Sequence, residues 1–172
     1  MKIAIHGKAG SGKDTMVDYM ISKYGGTKIA FSDPIYEIMH YAQNVCGFDK
    51  EKDRKFLQIV GTEWARNKDP NVWVNIALQR AKKIDENVYV TDIRFINEYE
   101  AIKNDKDWLV VKIKRDDELI ENNRIGSGDC NHISENGLDD SLFNIIIYNN
   151  STLENFYKQI DNLFKNNFYY FL

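Results

Sequence analysis

Short apolar runs alternate with longer segments of mixed polarity along this 172-residue chain. Five of the runs are nearly continuous and rich in Ile and Val, which is typical of strands buried on both faces. They predict strands over Lys2–His6, Thr27–Phe31, Asn87–Thr91, Trp108–Lys114 and Phe143–Tyr148. Because helix-length segments separate these strands, the pattern favours an α/β fold with a parallel sheet.

Capping residues indicate where the intervening helices begin and end. Gly25-Gly26 is expected to end the first helix, and apolar residues at helical spacing predict another helix over Asn71–Lys83. Two pairs of an acid before a proline, and one capping-box sequence, predict further helix starts at Asp33-Pro34, Asp69-Pro70 and Ser151–Glu154.

A long polar segment separates the fourth and fifth strands. Residues Asp116–Asp140 contain three glycines among polar residues, which predicts a mobile loop or lid. The chain is long enough to bury one core. We therefore expect a single domain over 1–172, with an insertion at about 32–84 and a lid at about 115–140.

Composition argues against several classes of protein. With 23 Lys and Arg against 26 Asp and Glu, the net charge of −3 does not favour general binding to nucleic acid. No run approaches the length of a membrane span, and Cys46 and Cys130 lack the spacing of a zinc site or a disulfide framework. We expect a cytoplasmic protein without nucleic-acid or membrane partners.

One motif carries specific chemistry. Residues 7–13, GKAGSGK, fit the pattern GxxxxGK and lie between a predicted strand and a predicted helix. The glycines let successive backbone N–H groups point into one concavity, and Lys13 can bridge the outer phosphates. We predict an ATP-binding loop formed by Gly7, Ala9, Gly10, Ser11, Gly12, Lys13, Asp14 and Thr15.

Asp14 departs from the usual pattern, in which Ser or Thr follows the lysine and ligates Mg²⁺. A carboxylate can still attract the metal, directly or through water, at the cost of repulsion with the phosphates. The alternative is a first-turn acid that the helix dipole favours. Whether Asp14 or Thr15 contacts the metal stays open at this point.

Asp92 and Arg94 follow the third predicted strand, at the edge where open α/β sheets bind ligands. Asp92 could hold Mg²⁺ and Arg94 an acceptor phosphate, or the two charges could pair with each other. We expect Asn97 and Glu98 to cap or orient the helix that follows.

Two further clusters carry candidate residues. In the predicted insertion, the Arg66 guanidinium suits a phosphate, whereas Trp64 and Trp73 could either stack on a base or lie in the core. In the predicted lid, cations that close over ATP would neutralise charge on the transferred group. The candidates are Arg115, Arg124 and His132, although solvated residues are the alternative, above all for Lys112 and Lys114.

The ordered set of motifs resembles the deoxynucleoside monophosphate kinases of bacteriophages and large DNA viruses. The similarity runs from residue 3 to about residue 140 and is carried by GKAGSGKDT, FSDPI, LQIVGTEWAR, DPNVWV, TDIRFINE and HISENGL. The resemblance implies a three-layer P-loop kinase fold with a five-stranded parallel sheet in the order 2-3-1-4-5. It also implies transfer of the γ-phosphate of ATP to a deoxynucleoside monophosphate with Mg²⁺, in the host cytoplasm for a viral protein.

The resemblance also implies roles for individual residues, and it makes Asp14-Thr15 a family trait. Lys13, Asp92, Arg94 and Arg124 are the expected catalytic residues, with Asp14 and Asp92 near the metal. Arg115 and Arg124 are expected on the ATP side. By the resemblance, Ser32 and Asp33 border the acceptor and Arg66 and Arg94 meet its phosphate. The residue patterns add Trp73 and His132 to the expected acceptor side.

Other functions stay open at this stage. A kinase of the same fold could act on dephospho-coenzyme A, phosphomevalonate or a sugar acid. A GTP-dependent switch is disfavoured because Asn67-Lys68-Asp69 puts the acid one place too early for NKxD, and a non-catalytic module because Lys13, Asp92 and the arginines occur together. The aromatic segment Phe168–Leu172 could pack on its own domain or cover a partner subunit, so a homodimer also stays open.

Overall fold

The computed structural model describes residues 1–121 and 138–167. Its sheet contains the strands β1 (Lys2–His6), β2 (Thr27–Ile29), β3 (Val88–Val90), β4 (Trp108–Lys114) and β5 (Ile146–Tyr148). The strands are parallel and lie in the order β2-β3-β1-β4-β5. The expected fold class and strand order are therefore confirmed.

Eight helices accompany these strands in the described residues. They are α1 (Lys13–Tyr24), α2 (Asp33–Cys46), α3 (Arg54–Gln58), α4 (Ala65–Lys68), α5 (Val72–Ala81), α6 (Ile96–Lys103), α7 (Asp117–Glu121) and α8 (Leu153–Asn167). A π-helical turn over Ile59–Trp64 joins α3 to α4, and a 3-10 turn occupies Asp140–Leu142. Within 1–121 and 138–167, no helix combines the length and the apolar composition needed to cross a bilayer.

The chain divides into two compact units. The first, here called the sheet unit, contains Met1–Lys28 and Ile84–Leu172, and the second, the helical unit, contains Ile29–Lys83. The helical unit corresponds closely to the insertion expected at about 32–84. The organisation as one domain with an acceptor-binding insertion stays a prediction.

The expected helix starts are only partly correct. Pro34 lies in the first turn of α2 as expected, but the Asp33 carboxylate accepts a hydrogen bond from the Ala30 backbone N–H, 2.7 Å away, instead of capping that helix. Pro70 precedes α5, which begins at Val72. In α8 the cap is Thr152 rather than Ser151, because Thr152 Oγ1 accepts from the backbone N–H of Asn155 at 3.3 Å.

The core of the sheet unit lies between the sheet and the helices α1 and α8. Gly25, with φ 69°, ends α1 as predicted, and Gly26, with φ 121°, turns the chain back into β2. Residues on the inward faces of these elements are almost completely buried, and they include Ile3, Ile5, Met16, Val17, Met20, Tyr89, Val111, Ile113, Phe156 and Ile160.

A carboxylate joins α1 to α8 at the edge of this core. Asp161 Oδ1 accepts from the hydroxyls of Tyr19 and Tyr24 at 2.9 and 2.7 Å, and Oδ2 lies 2.7 Å from Lys23 Nζ. The rings of Tyr24 and Phe164 stack beside it with centroids 3.9 Å apart. Desolvation acts to raise the pKa of Asp161, but the three hydrogen bonds outweigh it and lower that pKa.

We expect Asp161→Asn to lower the free energy of unfolding by about 1 kcal/mol, because a neutral amide accepts less strongly from these three donors. Urea denaturation at pH 7 measures this change. Asp18→Asn, which alters an exposed carboxylate on α1, is the matched control. Equal losses in the two variants would show that Asp161 has no special part in joining the helices.

Candidate active site

The glycine-rich loop between β1 and α1 requires its glycines for two reasons. Gly10 and Gly12 have φ values of 80° and 106°, in the region that glycine adopts most readily. At Gly7 the requirement is space, because a Cβ atom there would lie 2.6 Å from Ser11 Oγ and 2.8 Å from the Ile113 carbonyl oxygen. Such a loop, ending at a helix N-terminus, has the backbone geometry of an anion-binding concavity.

Polar groups line this loop. Lys13 Nζ donates to the carbonyl oxygens of Gly7 and Lys8 at 2.6 and 2.8 Å. Two buried atoms, Ser11 Oγ and Arg115 Nε, have no hydrogen-bond partner in the part of the chain that the structure describes. Because a buried polar atom without a partner is costly, this arrangement is typical of a site that a ligand completes.

A cavity of about 340 Å³ opens beside the loop. One wall is formed by Gly10 and by the residues from Gly12 to Thr15, and Arg115, Asn149 and Leu153 contribute much of the rest. Arg115 follows β4 directly and its Nη1 donates to the Gly10 carbonyl oxygen at 3.4 Å. The structure thus brings Arg115 to the expected ATP-binding loop.

Asn149 is a site residue that the sequence analysis did not identify. Its Nδ2 donates to the Ser11 carbonyl oxygen at 2.9 Å, and its backbone N–H donates to the Lys114 carbonyl oxygen at 2.8 Å. It therefore joins the end of β5 to the loop. Its position directly after a predicted strand was an available signal, since ligands bind at the carboxyl ends of parallel strands.

Asp14 has a definite partner in the structure. It is in the first turn of α1, and its Oδ1 lies 2.5 Å from Nζ of Lys28 on β2. The role of Asp14 toward a metal stays a prediction. On the other side of the loop, Lys8 Nζ lies 2.6 Å from Oδ1 of Asp117, in the first turn of α7.

The segment after β3 carries Asp92, which is half-buried, and Arg94, which is exposed. The prediction that Glu98 orients the next helix is confirmed. Glu98 is 1% exposed, and its Oε2 accepts from the backbone N–H groups of Arg94 and Phe95 at 2.8 and 3.0 Å. A buried carboxylate therefore fixes the backbone that carries Arg94.

His6 connects the segment after β3 to the end of β1, where the glycine-rich loop begins. The ring is buried at the end of β1, and its Nδ1 lies 2.9 Å from the Ile93 carbonyl oxygen. Nε2 accepts from the backbone N–H of Leu138 at 3.2 Å, so the proton of the neutral ring belongs on Nδ1. Burial lowers the pKa of His6, the hydrogen bond to Ile93 opposes this, and the charges of Lys112 and Lys13 lower it further.

Lys112 is buried rather than solvated, so that alternative does not hold for this residue. Its side chain is largely buried on β4, and Nζ donates to the Leu138 carbonyl oxygen at 2.5 Å and lies 2.6 Å from Asp140 Oδ1. Lys114 Nζ lies 2.5 Å from the other oxygen of Asp140. The hydrogen bonds from Lys112 and Lys114 lower the pKa of Asp140 to about 2.

Several predicted residues lie outside the described ranges. They are Arg124 and His132 in the expected lid, Cys130, and the aromatic segment Phe168–Leu172. The structure therefore describes only the two ends of the predicted lid over about 115–140, which contain α7 and Asp140.

The remaining candidates belong to the helical unit. Ser32 precedes α2 and Asp33 is in its first turn, whereas Arg66 lies on α4 with Nη1 3.3 Å from the Pro70 carbonyl oxygen. The two tryptophans differ, since Trp64 is 53% exposed and Trp73 only 2%.

Trp73 holds the π-helical turn from inside the helical unit. Its Nε1 donates to the Gly61 carbonyl oxygen at 2.8 Å. A Cβ at Gly61 would lie 2.9 Å from Ile35 Cδ1, so this turn packs closely on the first turn of α2. The structure thus brings the start of α2, Gly61 and Trp73 together, with Trp73 in the core. A direct contact of Trp73 with a substrate stays a prediction.

The parallel sheet in the order 2-3-1-4-5, with a glycine-rich loop between β1 and α1, defines a P-loop kinase fold. Two solved structures are similar to it. A gluconokinase from Sinorhizobium meliloti 1021 has a TM-score of 0.59 at 13% identity, covering 98% of this chain and 95% of that one. A thymidylate kinase from Candida albicans has a TM-score of 0.57 at 16% identity, covering 98% and 92%.

Sequence comparison identifies the family within this class. The family described as deoxynucleotide monophosphate kinase matches residues 49–160. The chain therefore belongs to the deoxynucleotide monophosphate kinases, a family of phosphotransferases, and the resemblance drawn from the motifs is confirmed.

Two viral relatives extend the match. The uncharacterized protein ORF77 of Ictalurid herpesvirus 1 is 36% identical over 162 residues, which cover 90% of this chain and 66% of that protein. A putative deoxynucleotide monophosphate kinase of Acanthamoeba polyphaga mimivirus is 29% identical over 188 residues, covering 92% and 93%. The chain thus spans slightly less than two thirds of ORF77 and nearly all of the mimivirus protein.

We expect stability to depend on pH through His6. Because its folded-state pKa lies below the ordinary value of 6.5, the unfolded chain binds the proton more readily. The stability that the neutral His6 ring contributes is complete above about pH 6.5. It is lost as the pH falls through that value toward the pKa of the folded state. Urea denaturation at pH 7.5 and pH 5.5 measures the difference.

The His6→Asn variant should show a smaller loss of stability over that interval. His40→Asn, which removes the half-buried histidine of α2, is the control and should keep the wild-type pH dependence. An identical pH dependence in the wild type and His6→Asn would contradict the assignment.

Proposed function

We propose that this protein transfers the γ-phosphate of ATP to a deoxynucleoside monophosphate. An oxygen of the acceptor phosphate attacks the γ-phosphorus in line, the bond to the β-bridging oxygen breaks, and the products are ADP and a deoxynucleoside diphosphate. The observation that carries the proposal is the family match over residues 49–160, in a chain whose glycine-rich loop has the backbone geometry of an anion-binding concavity.

The ATP side of the proposal rests on contacts within the sheet unit. The residues from Gly7 to Thr15, with the α1 N-terminus, hold the triphosphate through backbone N–H groups. Lys13 leaves its two loop carbonyls for the outer phosphates. The cavity bounded by Arg115, Asn149 and Leu153 takes the nucleoside part of ATP, and the planar Arg115 guanidinium is part of its lining.

The proposed cofactor ion is Mg²⁺, with Asp14 and Asp92 as the residues nearest to it. Among the described residues there is no group of three or more His, Cys, Asp or Glu side chains placed to hold a metal. The two carboxylates of Asp14 and Asp92 fit Mg²⁺, because this ion binds to one or two carboxylates, water and substrate phosphates rather than to a cage of side chains. When bound, Mg²⁺ neutralises charge on the phosphates.

On the acceptor side, four polar residues and one tryptophan are proposed. Arg66 and Arg94 bind the monophosphate, since a guanidinium matches the geometry of phosphate oxygens. Ser32 and Asp33 border the acceptor. Trp73, which is also proposed on the acceptor side, acts through the turn at Gly61 that it holds.

Two proposed residues belong to the lid, and both lie outside the described ranges. Arg124 stabilises the transferred group, and His132 lies on the acceptor side.

No general base is needed for this reaction. The acceptor monophosphate is largely ionised at neutral pH because its second pKa is about 6. Positioning and positive charge therefore supply the catalysis.

The proposed compartment is the cytoplasm, and the proposed partners are small nucleotides.

The experiment is a measurement of ADP release with ATP, Mg²⁺ and a panel of dTMP, dGMP, dCMP, dAMP and the ribonucleotides. We expect turnover with at least one deoxynucleoside monophosphate. Lys13→Ala should reduce it by roughly 100-fold or more, because charge stabilisation at the phosphates is lost. Lys158→Ala, on the exposed side of α8, is the control and should keep wild-type turnover.

Absence of turnover with every nucleotide would contradict the proposal. In that case the acceptors to test are dephospho-coenzyme A, phosphomevalonate and sugar acids. ATP binding without transfer to any acceptor would instead indicate a nucleotide-binding module.

A further inference from the structure

Lys28 contacts the phosphate-binding loop although no motif includes it. It lies on β2, and its Nζ is 2.5 Å from Oδ1 of Asp14, the residue that directly follows the loop lysine. Asp14 occupies the position at which P-loops normally carry a hydroxyl. The contact therefore joins the unusual residue of this loop to a cation from a neighbouring element.

The turn between α1 and β2 creates this contact. Gly25 and Gly26 have φ values of 69° and 121°, and a Cβ at Gly26 would lie 2.5 Å from the Asn87 carbonyl oxygen. The tight turn lets the Thr27 backbone N–H donate to that same oxygen at 2.8 Å. Strand β2 consequently runs back alongside α1, with Ile29 buried and Lys28 exposed.

The pair contributes little to folding, because both side chains are substantially exposed, 77% for Asp14 and 38% for Lys28. Its effect is local. The positive end of α1 attracts both the Asp14 carboxylate and any phosphate bound in the loop. The two anions therefore compete for one region, and they repel each other unless a cation compensates the carboxylate.

We propose that Lys28 is a positioning residue that compensates the charge of Asp14, so that a loop with a carboxylate in this position binds ATP. Lys28 holds the Asp14 carboxylate toward β2 and supplies a compensating positive charge. A hydroxyl at position 14 would not require that charge. The inference rests on the proposed function in one respect, namely that ATP is the ligand of the loop.

A direct contact of Lys28 with a phosphate is the competing explanation, and Asp14 separates the two. If Lys28 acts on the phosphate, its removal weakens ATP binding whatever residue stands at position 14. If Lys28 acts through Asp14, its removal has little effect once Asp14 is replaced by a neutral residue. Mg²⁺ offers a second test, because a metal near Asp14 would itself compensate the carboxylate.

The experiment is calorimetric titration of the purified chain with ATP, in EDTA and in excess Mg²⁺. We expect Lys28→Met to raise the Kd about tenfold in EDTA, equivalent to ~1.4 kcal/mol, and by a smaller factor in Mg²⁺. In the Asp14→Asn background the same substitution should change the Kd by less than about twofold. Lys28→Arg should restore binding, because it keeps the charge.

Lys2→Met is the matched control. Lys2 begins β1, at the end of the strand opposite the loop, and its Nζ lies 3.5 Å from Asp107 in another ion pair. Its removal changes the net charge equally and should leave the Kd unchanged. Thermal melting of each variant checks that the fold is retained.

Equal losses of affinity in the wild-type and Asp14→Asn backgrounds would overturn the proposal, and so would an unchanged Kd in Lys28→Met. A wild-type chain that binds no ATP would overturn it together with the proposed function. A chain that binds ATP but phosphorylates no deoxynucleotide would contradict the proposed function alone, since the Lys28 experiment is read from binding.

Discussion

The close approach of backbone to backbone at Gly7 is the constraint on which the site depends. There is no room for a side chain at this position, because Ser11 Oγ and the Ile113 carbonyl oxygen lie within 2.8 Å of where a Cβ would be. This contact fixes the loop against β4, the strand that carries Arg115 at its end. Asn149, after β5, binds the loop from the same side. The carboxyl ends of three strands thus meet at one concavity.

Charges around the loop are arranged in compensated pairs. Lys8 pairs with Asp117, Asp14 pairs with Lys28, and Lys13 donates to two carbonyl oxygens of the loop itself. A loop built to attract phosphate has a positive potential. Lys28 and Lys8 compensate the carboxylates of α1 and α7, so these carboxylates take little from that potential.

Local patterns predicted most of this architecture. The bounds of β1 and β4 agree with their apolar runs, and the glycine-rich loop lies where its motif placed it. The expected strand β2 was too long, because the Asp33 carboxylate takes the Ala30 backbone N–H and ends the strand at Ile29. A side chain three residues away in sequence can compete with a strand in this way.

Features that depend on tertiary contact were not predictable. Lys112 resembled a surface residue because its charge is normally solvated, yet its stem is buried and its ammonium group meets Leu138 and Asp140. Lys28 and His6 belong to no motif, and only the folded chain brings them to Asp14 and Ile93. The π-helical turn at Ile59–Trp64 has no periodic signal of its own.

The central claim is that the loop from Gly7 to Thr15 is the nucleotide site. Backbone amide chemical shifts of the 15N-labelled protein, followed during titration with ADP, test it most directly. The account predicts that the largest changes fall on the amides of Gly10–Thr15 and on the side-chain amide of Asn149. Unchanged loop amides, with the changes concentrated elsewhere on the chain, would contradict it.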